Sequence, residues 1–189
     1  MVRIDKIVTK AGDGGKTRLA TGEPVSKAGV RVEAYGAVDE ANSAIGVARL
    51  YTTSDPVLDP ILERAQNDLF DLGADLATPH ADDLKFEPLR IQDNQVTRLE
   101  AEVDQLNEKL APLTSFILPG GAPAAAHLHL ARAIARRAER AIVALSDAEP
   151  VSPEAIKFAN RLSDLLFVAA RWANDHGKAD LLWKPGANR

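Results

Sequence analysis

The chain of 189 residues has no cysteine and no long hydrophobic run. The lack of cysteine excludes disulfide bonds, thiolate nucleophiles and zinc sites with cysteine ligands. Residues 1–10 lack the apolar stretch of a secretory signal, and no later segment approaches the roughly 20 apolar residues of a membrane span. We therefore expect a soluble, cytoplasmic protein with no membrane partner.

Positive charge is also in deficit, with 23 lysines and arginines against 27 acidic residues and a net charge of -4. This balance argues against general nucleic-acid binding, so a basic cluster within the chain indicates a local site for a small anionic ligand. The length fits one domain with a proper core. We expect a single domain over 1–189, comprising an N-terminal loop segment (1–29), a helical bundle (30–177) and a tail (178–189).

Apolar residues recur at alternating steps of three and four in five stretches, which is typical of amphipathic helices. The predicted helices cover about 30–51, a stretch that ends before Thr78, about 93–110, about 124–145, and a segment from Ser152 to near Gly177. Ser152 is expected to be the N-cap of the last helix, with Pro153 at its first position. Short joins between these helices favour an all-α, five-helix bundle with an irregular N-terminal loop.

Three arginines of the fourth predicted helix are spaced four residues apart, Arg132, Arg136 and Arg140, and Arg137 makes the run denser. Residues four apart are stacked neighbours on a helix, where like charges destabilise it unless an anion lies across them. The stripe therefore indicates a polyanion site or, equally, a solvated basic surface. Glu139 lies inside the stripe and can neutralise part of its charge.

A glycine-rich segment at residues 9–17 reads TKAGDGGKT. Glycines let backbone N–H groups converge on phosphate oxygens, and lysines add positive charge. The sequence from Gly15 to Thr17 is similar to the end of a Walker loop, but Lys10 stands where that motif needs glycine, and no helix follows. We reject a P-loop fold and keep two readings, a ligand clamp and a mobile arm.

The segment FILPGGAP at 116–123 leads directly into the arginine helix. Its Phe116 is either a core residue or the wall of a pocket, and a core position is the commoner role. On the last helix Asn160, Asp164, Phe167 and Arg171 share a face, which implies a ligand or an interhelical hydrogen-bond network.

The sequence offers no obvious nucleophile or metal site. His127 and His129 are two residues apart and point to nearly opposite sides of a helix, which makes them a poor metal-binding pair. No glutamate is followed by histidine at the spacing that di-iron bundles use, and no Ser-His-Asp arrangement stands out. An enzyme with this sequence would therefore need a nucleophile that the protein does not supply.

Five motifs together carry a resemblance to a known family. They are TKxGDxGxT at 9–17, RVEAYGxVDExNS at 31–43, FxLPGG at 116–121, ARxxxRRAER at 131–140 and NRLSD at 160–164. In this order the chain resembles the ATP:cob(I)alamin adenosyltransferases of the propanediol-utilisation type. The resemblance implies a five-helix bundle, usually a homotrimer with active sites between subunits. It also implies transfer of the 5′-deoxyadenosyl group of ATP to the cobalt of cob(I)alamin, giving adenosylcobalamin and triphosphate.

The resemblance also assigns residues to ATP. It places a loop cover over the nucleotide, formed by Thr9, Lys10, Gly12, Asp13, Gly15, Thr17 and Lys27. It places Arg136, Arg137 and Arg140 on the triphosphate, with Glu139 as their organiser and Asn160 on the nucleotide. Mg²⁺ is expected to enter through the ATP phosphates, and Arg136 and Phe116 are the residues expected to act in catalysis.

On the corrinoid side the resemblance places Phe116 and Phe167, whose aromatic wall displaces the lower axial ligand of cobalt. The nucleophile is then Co(I) itself, which attacks the 5′ carbon of ATP. Asp39 and Arg132 would form a salt bridge between subunits. A corrinoid reductase and an adenosylcobalamin-dependent enzyme are the implied protein partners, and the contribution of Trp183 in the short tail stays open.

Two other functions use the same residues differently. A nucleotide-binding regulatory module would hold ATP without turnover, and the observation that separates it from the enzyme is an open pocket bordered by Phe116 and Phe167. A structural helical adaptor would leave the arginines solvated, and ATP would then not raise its melting temperature.

Overall fold

The computed structural model describes residue 5 and residues 7–189. Its five α-helices are α1 (Val30–Arg49), α2 (Leu58–Leu76), α3 (Asp93–Asn107), α4 (Pro123–Ser146) and α5 (Pro153–Trp172). Two short strands, β1 (Lys16–Arg18) and β2 (Pro24–Ser26), form an antiparallel hairpin before α1. The predicted all-α, five-helix architecture is confirmed. Within the described residues, no helix has both the length and the apolar character needed to cross a membrane.

The helices form a closed ring around one core. α4 packs between α1 and α5, α5 also packs on α3, and α1 packs on α2. Two ion pairs join α2 to α3 and close the ring, Arg64–Glu102 at 2.7 Å and Arg98–Asp68. On α4 the buried residues include alanines along one seam, and their small side chains let the neighbouring helices approach closely.

The connections differ from the predicted short joins. The α2–α3 join covers residues 77–92 and the α3–α4 join covers 108–122, so the expectation was wrong for both. The first is held by the carboxylate of Asp75, which accepts hydrogen bonds from Arg90 Nη1 at 2.7 Å and from the N–H of Ile91 at 2.9 Å. A single polar contact of this kind leaves no periodic signal in the sequence.

The N-terminal segment departs in part from expectation, whereas α5 begins as predicted. The segment is not wholly irregular, because Thr17 pairs with Val25 in the hairpin. Ser152 does occupy the N-cap position of α5, with Pro153 first in the helix. Its hydroxyl, however, donates to Asp75 Oδ1 at 3.2 Å and caps no helical N–H. The helix ends at Trp172, and turns follow it up to residue 179.

Asp59 in the first turn of α2 provides a test of this packing. Its oxygens accept hydrogen bonds from Arg49 Nη2 at 2.7 Å and Thr52 Oγ1 at 2.8 Å, and the bond from Arg49 holds the pKa of Asp59 below its usual range. We expect Asp59→Asn to lower the free energy of unfolding at pH 7 by about 1.5 kcal/mol.

This stabilisation depends on pH in a defined direction. The unfolded state binds a proton to Asp59 more readily than the folded state does, so the contribution is complete above the unfolded-state pKa of about 4. It is lost as the pH falls through the lower folded-state pKa. Urea unfolding of both proteins between pH 7 and pH 3 measures the difference, and a difference independent of pH would contradict the assignment.

Candidate active site

The arginine stripe of α4 meets polar residues of α5. The Arg136 side chain is 51% exposed, and its nearest carboxylate oxygen, Glu139 Oε2, lies 3.9 Å away. Glu139 Oε1 accepts a hydrogen bond from Asn160 Nδ2 of α5 at 2.8 Å, while Arg140 Nη1 donates to the backbone oxygen of Arg136 at 3.0 Å. The interhelical network considered from the sequence is therefore present. It orients Glu139 and leaves the exposed guanidinium of Arg136 in a long, weak ion pair.

Two further charged residues of α5 extend this cluster. Arg161 Nη1 donates to Asn160 Oδ1 at 2.6 Å, and Arg161 Nε donates to Glu100 Oε1 of α3 at 2.7 Å. Burial raises the pKa of Asp164, and the charges of Arg161, Glu139 and Arg136 act on the same carboxyl. Sequence reasoning missed Arg161 as a site residue, although it lies in the NRLSD motif that could have identified it.

Arg132 is the most enclosed arginine of the stripe. Its Nε is buried and finds no hydrogen-bond acceptor among the described residues, and burial together with the charge of Arg136 lowers its pKa. Asp39 is exposed on α1, and in the part of the chain that the structure describes no ion pair joins it to Arg132. The predicted link between these two residues is thus not formed within one subunit.

Arg137 points toward α1. It forms ion pairs with Glu40 and, at 3.7 Å, with Glu33. Both carboxylates belong to the RVEAYGxVDExNS motif. The structure therefore separates Arg137 from Arg136, although the two are adjacent in sequence, and the predicted contact of Arg137 with triphosphate stays a prediction.

The glycine-rich loop encloses a second part of the site. A pocket of about 560 Å³ is lined by Thr9, Ala11, Gly12, Lys16, Thr17, Arg18, Pro24 and Lys27. Four of the predicted cover residues are in this set, and its three basic side chains suit an anionic ligand. A Cβ at Gly12 would lie 2.8 Å from Lys27 Nζ, so a larger residue there would displace the lysine.

The remaining cover residues form the turns beside this pocket. The N–H of Asp13 donates to the oxygen of Lys10 at 3.3 Å, and the N–H of Gly15 donates to the oxygen of Gly12 at 3.2 Å. Gly15 has φ +74°, a conformation that glycine adopts without strain. Within residues 7–189 no hydrogen bond or ion pair joins this loop to the arginines of α4.

Phe116 and Phe167 border one open pocket of about 470 Å³, together with residues 113–115 and Ile117. Phe116 is 75% exposed, so the core position favoured from residue type is wrong. Its segment lies outside the helical ring, and its ring contacts Trp183, with centroids 6.1 Å apart. An open pocket between Phe116 and Phe167, which the enzyme requires, is therefore present.

His129 connects the aromatic pocket to the arginine stripe. The side chain is 3% exposed and its ring meets Phe167 edge-on, with centroids 6.4 Å apart. Burial lowers its pKa, and the charge of Arg132, three residues further along α4, lowers it further. His127 instead stacks on Tyr51, with centroids 5.2 Å apart, so the two histidines do diverge. Phe167 thus contacts the buried His129, and Arg132 and Arg136 follow His129 at helical spacing on α4.

Arg171 does not belong to this surface, although its spacing predicted a shared face with Asn160 and Phe167. It is buried and forms an ion pair with Asp180 at 2.9 Å. The helix spacing was correct for Asn160, Asp164 and Phe167. Arg171 instead pairs with a carboxylate from the chain beyond α5, and helical spacing does not reveal such a pair.

Comparisons with known proteins relate the chain to one family. The family model described as cobalamin adenosyltransferase matches residues 7–173. The corrinoid adenosyltransferase of Mycobacterium tuberculosis is 47% identical over 190 residues, covering 100% of this chain and 97% of that protein. The corrinoid adenosyltransferase of Bacillus subtilis is 40% identical over 172 residues, covering 89% and 86% of the two chains.

A solved structure gives the same result. It is a variant PduO-type ATP:corrinoid adenosyltransferase from Lactobacillus reuteri complexed with cobalamin and ATP, with 42% identity and a TM-score of 0.88, covering 95% of this chain and 99% of that one. These matches confirm the predicted family, the helical fold, the transferase class and adenosyl transfer from ATP to a corrinoid. The chain therefore belongs to the cobalamin adenosyltransferase family.

Proposed function

We propose that this chain transfers the 5′-deoxyadenosyl group of ATP to the cobalt of cob(I)alamin and releases adenosylcobalamin and triphosphate. The observation that carries the proposal is an open aromatic pocket bordered by Phe167, whose ring contacts His129, one turn before Arg132 and Arg136 on α4. The Co(I) electron pair forms the bond to the 5′ carbon as the bond from that carbon to the triphosphate oxygen breaks. The protein supplies no nucleophile and contributes position and charge.

In this proposal Arg136 and Arg140 bind the triphosphate, and Glu139, held by Asn160, orients them. Charge-assisted hydrogen bonds suit a leaving group whose negative charge grows as the bond breaks. Arg137 joins them by exchanging the carboxylates of α1 for phosphate oxygens. The loop residues Thr9, Lys10, Gly12, Asp13, Gly15, Thr17 and Lys27 cover the nucleotide, and Asn160 contacts it.

Mg²⁺ fits this site as a companion of ATP. Among the described residues no group of three or more histidine, aspartate or glutamate side chains gathers around one point, so the chain supplies no cage of its own. Mg²⁺ commonly keeps several waters and binds substrate phosphates, which needs few protein ligands. It would neutralise part of the triphosphate charge beside Arg136.

Phe116 and Phe167 form the proposed corrinoid side of the site. An apolar wall excludes a ligand from the lower face of cobalt, and four-coordinate Co(II) is easier to reduce to Co(I). The exposure of Phe116 and the pocket it shares with Phe167 support this role. An upstream corrinoid reductase and a downstream adenosylcobalamin-dependent enzyme are the proposed partners, in the cytoplasm.

We further propose that the chain is one domain over 1–189 and assembles as a homotrimer, with the loop of one subunit covering the arginines of the next. Val47 on α1 and Leu130 and Val143 on α4 are large apolar residues left exposed in the single subunit. The buried Nε of Arg132 also needs an acceptor, because an unpaired buried donor costs free energy. Asp39 of a neighbouring subunit would supply it.

The salt bridge between subunits gives a specific prediction. Arg132→Ala is expected to weaken the assembly so that subunits dissociate at protein concentrations where the wild type stays associated, because the pair is removed at each interface. Sedimentation velocity over a dilution series measures the change. The exchanged double variant, with Asp39→Arg and Arg132→Asp, should recover part of the association, and an unchanged trimer in Arg132→Ala would contradict the pairing.

An anaerobic assay with chemically reduced cob(I)alamin and Mg-ATP tests the proposed function. The loss of the Co(I) absorbance should be matched by adenosylcobalamin and an equal amount of triphosphate. ATP binding without turnover would support the regulatory module, whereas a melting temperature that ATP does not raise would support the structural adaptor.

A further inference from the structure

The segment that carries Phe116 buries little of its own apolar surface. We call residues 111–122, between α3 and α4, the Phe116 segment. Its apolar residues are largely exposed, with Leu113 at 37%, Leu118 at 47% and Phe116 at 75%. A segment that buries so little must be fixed by contacts from elsewhere, and those contacts come from the end of α5 and the chain beyond it.

Two buried side chains near the end of α5 hold the two ends of the Phe116 segment. Arg171 Nη2 donates to the backbone oxygen of Ala111 at 2.7 Å. Asn174 Oδ1 accepts from the N–H of Ala122 at 3.2 Å. Arg171 and Asn174 are only 5% and 3% exposed, so both ends of the segment are hydrogen-bonded to buried side chains.

The middle of the Phe116 segment pairs with residues 181–183 through one isolated antiparallel bridge, between Ile117 and Leu182; we call residues 181–183 the C-terminal strand. The N–H of Leu118 donates to the oxygen of Leu181 at 2.8 Å, and the N–H of Trp183 donates to the oxygen of Phe116 at 2.7 Å. Ser115 Oγ donates to the oxygen of Trp183 at 2.8 Å. The indole of Trp183 then lies against the ring of Phe116.

A single carboxylate organises all three attachments. Asp180 Oδ2 accepts from Arg171 Nε at 2.9 Å, and Asp180 Oδ1 accepts from Asn174 Nδ2 at 3.0 Å. The side chain of Asp180 is 3% exposed, and the residue directly precedes the C-terminal strand. Asp180 thus sets the position of both fastening side chains and the starting point of the strand.

Two glycines make room for this arrangement. A Cβ at Gly121, where φ is +99°, would lie 2.4 Å from Asn174 Oδ1. A Cβ at Gly177, where φ is +81°, would lie 3.0 Å from Arg171 Nη2 and 3.2 Å from Asp180 Oδ2. Both sites are restricted to glycine by backbone conformation and by space, so the local chain is built around the Asp180 contacts.

We propose that Asp180 is a positioning residue for the corrinoid side of the reaction. Through Arg171, Asn174 and the C-terminal strand it fixes Phe116, with Trp183 as the support behind that ring. This inference rests on the proposed function, since it takes Phe116 to face the corrinoid. In the proposed function ATP binds to α4 and the glycine-rich loop. Loss of Asp180 should therefore change the KM for the corrinoid more than the KM for ATP.

Asp180→Asn tests the proposal with little change of volume. An amide can accept on one side only, so its NH₂ would face a donor of Arg171 or Asn174 and leave a buried guanidinium without its carboxylate. We expect the KM for cob(I)alamin to rise about 10- to 100-fold, while the KM for ATP stays within about twofold. Asp175→Asn is the matched control, because Asp175 is exposed in the turn before Asp180, and among the described residues its carboxylate pairs only with Lys178, at 3.9 Å.

A spectroscopic measurement separates positioning from simple loss of fold. With ATP and saturating cob(II)alamin, electron paramagnetic resonance reports whether the lower nitrogen ligand of cobalt has left. The four-coordinate fraction should be high in the wild type and in Asp175→Asn and low in Asp180→Asn. Trp183→Leu, which leaves the buried pair intact, should also lower it.

The outcomes separate this inference from the proposed function. No turnover and no corrinoid binding by the wild type would remove the proposed function. An active wild type with unchanged corrinoid KM in Asp180→Asn, or with equal rises for both substrates, would overturn the positioning role of Asp180. If Asp180→Asn does not fold, an unchanged four-coordinate fraction in Trp183→Leu overturns it instead.

Discussion

Replacing Arg136 by alanine is expected to lower kcat/KM for ATP at least tenfold, which corresponds to about 1.4 kcal/mol. The guanidinium is half exposed, and in the described part of the chain its only close carboxylate, Glu139, lies 3.9 Å away, so the cation is available to a ligand. Removing a charged partner from a phosphate group costs more binding free energy than removing a neutral hydrogen-bond partner. Steady-state kinetics with varied Mg-ATP and fixed cob(I)alamin measure the effect.

The division of that effect between KM and kcat carries further information. If the guanidinium binds the triphosphate equally before and during bond cleavage, its removal raises KM alone. If it binds more strongly as negative charge grows on the leaving group, its removal also lowers kcat. Arg136→Lys keeps the charge but loses the planar fork, so it should recover only part of the activity.

Lys157→Ala is the matched control for Arg136→Ala. Lys157 on α5 also has a 51% exposed side chain and a glutamate three residues away, with Glu154 at 3.6 Å. Removing it takes away an exposed cation and a weak helical ion pair but none of the contacts among Arg136, Glu139 and Asn160, so ATP kinetics should not change. Unchanged ATP kinetics in Arg136→Ala would remove Arg136 from the site.

The helices were predictable because burial imposes a period on the sequence. On α1, for example, Ala34, Val38, Ala41, Ile45 and Ala48 recur at steps of three and four, and all five are buried. The predicted helix bounds already left room for the two long joins, but what holds each join was not predictable, because it is an individual polar contact such as Asp75 with Arg90. Such a contact depends on where two distant segments meet, which local spacing does not record.

The candidate site was predictable in part for the same reason. Helical spacing showed that Arg132, Arg136 and Arg140 lie in one row, but it could not show that Arg132 is enclosed or that Arg137 pairs with Glu40. Those differences come from the helix packed alongside. Residue type likewise could not distinguish an exposed Phe116 from a buried one.

The family was predictable because five separate motifs occur in a fixed order, and the comparisons confirm it. The individual roles rest on those motifs and on the geometry reported above, and they stay predictions. Asp180 shows the limit of motif reasoning. It lies outside all five motifs, yet its two oxygens meet the side chains that hold the Phe116 segment.

Replacing Phe116 by alanine is expected to affect the reaction from cob(II)alamin more than the reaction from cob(I)alamin. The proposed task of this ring is to exclude the lower ligand so that Co(II) can be reduced, and that task is already complete when Co(I) is supplied. We expect the rate with cob(II)alamin and a one-electron donor to fall about 100-fold, because without the ring the lower ligand stays in place and the geometry on which reduction depends is not reached. With chemically reduced cob(I)alamin the loss should be about tenfold or less.

Phe70→Ala provides the control for this comparison, because Phe70 is 72% exposed on α2 and Phe116 is 75% exposed. Both changes remove a solvent-facing ring of the same size, but only Phe116 borders the aromatic pocket with Phe167. Phe70→Ala should leave both reactions unchanged. Equal losses from cob(II)alamin and cob(I)alamin in Phe116→Ala would mean that the ring serves corrinoid binding in general, because a role in ligand exclusion must favour the reaction that includes the reduction step.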